Sequence, residues 1–126
     1  MVQPTQLWWD EQLDFAEAFD ETCAERSKTW PPPIMAELVS VASRTDLVRL
    51  CPFISHNVLR FATSPRWYVG EGSVAPAFIA LFGNPDGYVV YSGELFGNAD
   101  AVLDTANAAD AAAKAAELLA SWPANL

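Results

Sequence analysis

The chain has 126 residues, 52% of them hydrophobic and 12% aromatic, and a formal charge of −9. That length holds one hydrophobic core and not two, and the apolar content is enough to drive folding. The acidic balance speaks against DNA or RNA as a partner, because such affinity comes from Lys and Arg neutralising phosphates. A cationic or neutral partner, or simple solubility, remains as a reading of the charge.

Nothing at the start reads as a signal peptide, since Asp10 and Glu11 already follow the first apolar cluster. No run approaches the ~18 apolar residues of a membrane span. Two cysteines, Cys23 and Cys51, are too few for a disulfide framework, so a cytoplasmic protein with reduced thiols is expected. Five tryptophans exceed what a core of this size needs, which places some of them at an interface or ligand surface.

Residues 7–26 read as an amphipathic helix. Trp8, Phe15, Phe19 and Cys23 recur at helical spacing, and Asp10, Asp14, Glu17, Glu21 and Glu25 line another side. Thr5 suits an N-cap. The acidic row is either a solvated face or a dock for a basic peptide, and like charges four residues apart are mildly unfavourable without a partner. Trp30-Pro31-Pro32-Pro33 reads as a stiff hinge, with a second helix from about 33 to 43 on Ile34, Leu38 and Val41. Trp8, Trp9 and Trp30 are expected to be exposed beside an apolar stripe too wide for one core, which predicts a homodimer. Residues 46–50 then form a capped turn.

Residues 51–61 read as one strand, with Pro52 at the position where no ladder bond is lost. Phe53, Leu59 and Phe61 share one parity and are expected in the core; Ile54, His56, Val58 and Arg60 share the other. Ser64-Pro65 marks a turn, and Arg66-Trp67-Tyr68-Val69 is a short extended piece stopped by Gly70 and Gly72. Residues 77–82 form a near-continuous apolar strand. Asn84-Pro85-Asp86-Gly87 is a turn with Gly87 in the positive-φ position, and residues 88–91 return antiparallel. Gly93 to Gly97 leave the sheet. A last helix spans about 107–121, opened by Asn107 and Asp110 as a capping box and ended by Pro123. The pattern is a single α+β domain over 1–126: helical in 1–50, a small antiparallel sheet of three to four strands in 51–97, and a C-terminal helix within 105–122 packed on the sheet.

One histidine and two distant cysteines have no metal-ligand spacing. No phosphate loop, dinucleotide fingerprint or nucleophile elbow occurs, and no cofactor is expected. Cys51 and His56 would lie roughly 16 Å apart along one strand, too far for a nucleophile and its base. His56 is either a hydrogen-bonded structural residue or a ligand contact. Arg60, Arg66, Trp67 and Tyr68 bring two guanidiniums and two aromatic rings together, either as a carboxylate and peptide surface or as a surface ion-pair patch. The candidate substrate-binding set is therefore His56, Arg60, Arg66, Trp67 and Tyr68, with no catalytic residue singled out.

The block Leu50-Cys51-Pro52-Phe53-Ile54-Ser55-His56-Asn57-Val58-Leu59-Arg60-Phe61 resembles the signature of an actinobacterial family of unknown function labelled as natural-product biosynthesis proteins. The Trp-rich first helix, the Leu47-Val48-Arg49-Leu50 run and the final helix before Trp122-Pro123 fit it as well. That label is similar to the one carried by the lysinoalanine-forming proteins of cinnamycin and duramycin lantibiotic clusters. The resemblance implies a cytoplasmic homodimer that clasps a modified precursor peptide and promotes addition of its lysine amine to dehydroalanine. It further implies a substrate base, a hydroxylated aspartate, while the expectation of no metal, nucleic acid or membrane partner rests on the charge, ligand spacing and hydropathy of the sequence itself. A non-catalytic binding module for a basic peptide or protein, such as an immunity or accessory protein, is the competing expectation.

Overall fold

In the computed structural model, residues 4–25, 32–83, 86–95 and 97–123 are described. Helix α1 runs Pro4–Glu25. Proline at its first position needs no N–H partner, so Thr5 falls inside the first turn rather than capping it. The buried stripe is Trp9, Ala16 and Cys23, flanked by Leu13 and Phe19, while Phe15 is 55% exposed. The adjacent tryptophans explain the shift: choosing Trp8 over Trp9 as the stripe's origin rotates it by about 100°. Neither tryptophan stands free. The Trp9 indole is 2% exposed and donates to the Val48 and Leu50 carbonyls at 3.1 and 2.9 Å, and Trp8 donates to the Pro52 carbonyl. Trp30 lies outside the described residues, as does Pro31 of the expected hinge.

Helix α2, Met35–Ala42, starts later than the sequence implies and takes its cap from a distance. The two Asp20 carboxylate oxygens accept from the Met35 and Ala36 amides at 2.9 and 2.8 Å. This satisfies donors that its own N-cap, Ile34, cannot reach. A 3₁₀ turn over Asp46–Arg49 follows, capped by the Thr45 hydroxyl accepting from the Leu47 amide at 3.1 Å.

Residues 51–62 are a hairpin, not one strand: β1 Cys51–Ser55 and β2 Val58–Ala62, joined by His56 and Asn57. A two-residue loop reverses side-chain parity, because Ile54 pairs with Leu59 and Phe53 with Arg60. Ile54, Leu59 and Phe61 therefore face the core, and Phe53 joins Arg60 on the other side. The stretch expected to be extended at 66–69 is instead a 3₁₀ turn, Trp67–Val69, ended by Gly70 at φ +81°.

Strands β3, Ala77–Gly83, and β4, Asp86–Gly93, pair in register from Ala77↔Ser92 to Gly83↔Asp86. Gly87 thus lies within β4 opposite Phe82, where a Cβ would stand 2.9 Å from the Thr105 carbonyl oxygen; close approach, not positive φ, requires glycine there. Asn84 and Pro85 of the expected turn lie outside the described residues. A fifth strand, β5 (Ala99–Thr105), completes an antiparallel sheet of order β1-β2-β3-β4-β5, one strand more than expected. Its Ala-Asp-Ala-Val-Leu-Asp-Thr sequence has little β propensity, and its neighbour β4 holds it in place. Val90 pairs with Leu103 and Tyr91 with Ala101, so Val102 is a bulge residue that, with exposed Asp100 and Asp104, blunts this edge.

Helix α3, Ala108–Leu118, opens with the Asn107 side chain accepting from the Asp110 amide at 3.1 Å, as its sequence implies. Ala108, Ala111, Ala112 and Ala115 are buried and let it lie flat on β3, β4 and β5. Arg49 ties it to the 3₁₀ turn by donating to the Leu119 carbonyl. The main core is thus built between three helices and one face of the sheet, with Leu59, Phe61, Ile79, Leu81, Tyr88 and Val90 as the sheet's contribution. Among the described residues, no helix is long and apolar enough to cross a membrane.

Candidate functional site

Among the described residues, no α-helix packs on the other face of the sheet; only the 3₁₀ turn reaches it, through Trp67 on Phe53. A smaller apolar cluster of Val58, Phe78 and Ala80 lies there, with Tyr91, Leu95 and Ala99 packed at its edge. These residues line a cavity of about 430 Å³, together with Phe82 and the hairpin-tip residues Ser55, His56 and Asn57. Phe78 and Tyr91 stack at 4.9 Å between centroids, and Phe82 meets Tyr91 edge-on at 6.4 Å. The walls are thus aromatic and aliphatic, and the polar residues at the mouth are those of the hairpin tip, the arrangement typical of a small-ligand or side-chain site.

The mouth is held firmly. The Asn57 amide donates to the Leu81 carbonyl at 2.8 Å, and the Leu81 amide donates back to the Asn57 carbonyl at 2.8 Å. His56, the first loop residue, has φ +56° and an exposed side chain. Two-residue hairpins need positive φ there and usually use glycine, asparagine or aspartate. Keeping a histidine costs roughly 1 kcal/mol or more in backbone strain. The Cys51 thiol lies at the far end of β1, buried and with its pKa raised by desolvation, which makes it an inert group rather than a partner for His56.

The five sequence-predicted site residues fall into separate places. Trp67 stacks on Phe53 at 4.4 Å and Tyr68 meets Trp67 edge-on at 6.0 Å, while the Arg60 guanidinium lies 5.6 Å from the Phe53 ring centre. Phe53 is buried, as expected, but outside the main core, as the hub that joins Arg60 to Trp67. Arg66 does not join them: its Nε donates to Glu71 at 2.7 Å in an exposed ion pair on the β2–β3 loop, a contact worth little in water. His56 stands at the other end of the hairpin, on the cavity mouth.

Arg60 makes no ion pair or side-chain hydrogen bond among the described residues, and its Nε is buried. Burial pushes its pKa down from the ordinary arginine value. The walls themselves, Phe78, Ala80, Phe82 and Tyr91, are not evident from any motif. Their signal is the apolar run of β3: a strand apolar on both parities calls for cover on both faces, and the helices cover only one.

Comparison with protein-family models, with curated proteins and with solved structures found no match to this chain.

Proposed function

We propose that the protein is a peptide-tailoring enzyme that works by positioning: a lysinoalanine synthase acting in the cytoplasm, as a homodimer, on a dehydrated and cyclised precursor peptide. The observation that carries the binding half of this reading is the aromatic-walled cavity on the sheet face that no α-helix covers among the described residues. The chemical half rests on the resemblance of residues 50–61. In the reaction the lysine nitrogen bonds to the β-carbon of dehydroalanine while the alkene electrons move to the α-carbon. The amine gives up one proton and the α-carbon takes one, so the sum is an addition without a redox step. With the proton taken by a substrate carboxylate, the protein's share is to hold amine and alkene in reach. Such positioning supplies up to about 7–11 kcal/mol of a barrier. The exposed acidic row of α1 favours encounter with a lysine-bearing peptide, and exposed Leu7 and Phe15 on the same helix support a dimer contact.

The test follows dehydroalanine in the precursor by thiol trapping and mass spectrometry, with and without the protein. Protection from trapping faster than the spontaneous rate is expected, and equal rates overturn the reading. One observation favours a second, non-catalytic reading: among the described residues Asp10, Asp14, Glu17, Glu21 and Glu25 are exposed and form no ion pair, as a dock for a basic partner would. A stoichiometric, salt-sensitive complex with a basic protein, and no cross-linking, would select it.

A further inference from the structure

Arg60 is a charged residue at a strand position whose neighbours on the same parity, Val58 and Ala62, are buried and apolar. Its Nε–H is buried and meets no acceptor among the described residues. A buried charged donor without an acceptor costs about 1–3 kcal/mol or more, so such a group calls for an explanation in what binds there. The Phe53 ring, 5.6 Å from the guanidinium carbon, offsets part of that cost but provides no lone pair for the N–H.

Two observations connect this donor with the cavity. Val58, a wall of the cavity, precedes Arg60 by two residues on the same face of β2, so Arg60 is the next side chain along that face, just beyond the lining residues. His56, at the mouth two residues before Val58, holds a conformation that glycine would adopt without strain. Both polar residues that bracket the apolar wall along the hairpin are therefore kept at an energetic cost.

We propose, building on the sheet-face reading above, that the cavity takes a ligand group pairing an apolar side chain with a carboxylate. The apolar part sits against Phe78, Phe82 and Tyr91, and the carboxylate accepts from the Arg60 guanidinium. A carboxylate matches the planar fork of arginine with two parallel bonds, and it brings the lone pairs that Phe53 lacks. On an otherwise acidic chain, an unpaired guanidinium beside an apolar wall selects for this combination over a purely apolar or cationic group. The carboxylate belongs either to a chain terminus or to an acidic side chain.

Three probes separate these cases: N-acetylphenylalanine, its amide, and N-acetylaspartyl-phenylalanine amide, titrated against wild type, Arg60→Gln and Arg60→Lys by chemical-shift perturbation. At least one acid is expected to bind wild type about tenfold or more tightly than the plain amide, with shifts at Phe78 and Tyr91. Arg60→Gln should bring the acids to the amide's affinity and leave the amide unchanged, and Arg60→Lys should fall between. The tighter acid identifies the source of the carboxylate. Equal binding of acids and amide to wild type, or a preference that survives Arg60→Gln, overturns the inference and leaves the sheet-face reading standing. Absence of binding by all three at about 10 mM overturns the inference and removes the cavity from the proposed function as well.

Discussion

The two faces of one sheet are built to different rules. On the helix-covered face the side chains are close-packed and the polar groups are paired. Trp9 donates to two carbonyls, Asp20 accepts two helix amides, and the Tyr88 hydroxyl donates to the Ile34 carbonyl at 2.9 Å. On the open face a cavity remains, a guanidinium nitrogen is buried without an acceptor, and a histidine sits at positive φ. Strain and a missing partner gather on the face that none of the three α-helices covers among the described residues, where only the 3₁₀ turn packs Trp67 on Phe53. The paired polar groups and the main core are on one side, and the strained residue and the unmet donor are on the other.

The sharpest way to break that contrast uses neighbours in β3. Leu81 is fully buried in the main core and Phe82 is 41% exposed on the open face. Leu81→Ala should cost about 2–5 kcal/mol, whereas Phe82→Ala should cost under about 1 kcal/mol despite removing more carbon. Urea denaturation measures both, and similar losses would mean that the open face carries the fold as well. Next in size is Asp20→Ala, which strips two acceptors from the start of α2 and should cost about 1–2 kcal/mol. A loss below about 0.3 kcal/mol would show that α2 is held by packing alone.

Tyr88→Phe should cost about 1 kcal/mol at neutral pH for its lost hydrogen bond. It should also change the alkaline limb of stability. Burial, with smaller contributions from Glu37 and Asp20, raises the Tyr88 pKa in the folded protein, so its contribution is complete below the unfolded value of about 10. Above that pH the unfolded chain releases the proton and the folded one keeps it. Stability therefore falls by up to about 1.4 kcal/mol per pH unit, and Tyr88→Phe should remove this increment. An unchanged slope in the variant would refute the assignment. The smallest effect has the opposite sign: His56→Gly should stabilise the protein by about 0.5 kcal/mol, because relief of strain exceeds the extra entropy of glycine. If the variant is instead less stable by thermal melting, His56 has a structural role and the contrast between the faces weakens.

Local chemistry in the sequence determined the class of fold, the three helices, the capping of α3 by Asn107 and the apolar strand β3. Each depends on residues within a few positions of one another, where periodicity and capping rules act directly. The acidic row on α1 also lies as its spacing implies, exposed along one side. Only the tertiary structure decided which tryptophan is buried, because Trp8 and Trp9 are equally apolar and differ by one step of helical rotation. Contacts between elements likewise settled the cap of α2, since Asp20 lies fifteen residues before the amide it meets. The same holds for the site. A two-residue turn at His56-Asn57 reversed the parity of the hairpin, moving Phe53 out to Arg60 and Ile54 in to Leu59. Parity is a count along the chain, and one turn resets it; the open face, its cavity and the unpaired arginine follow from where that reset occurs.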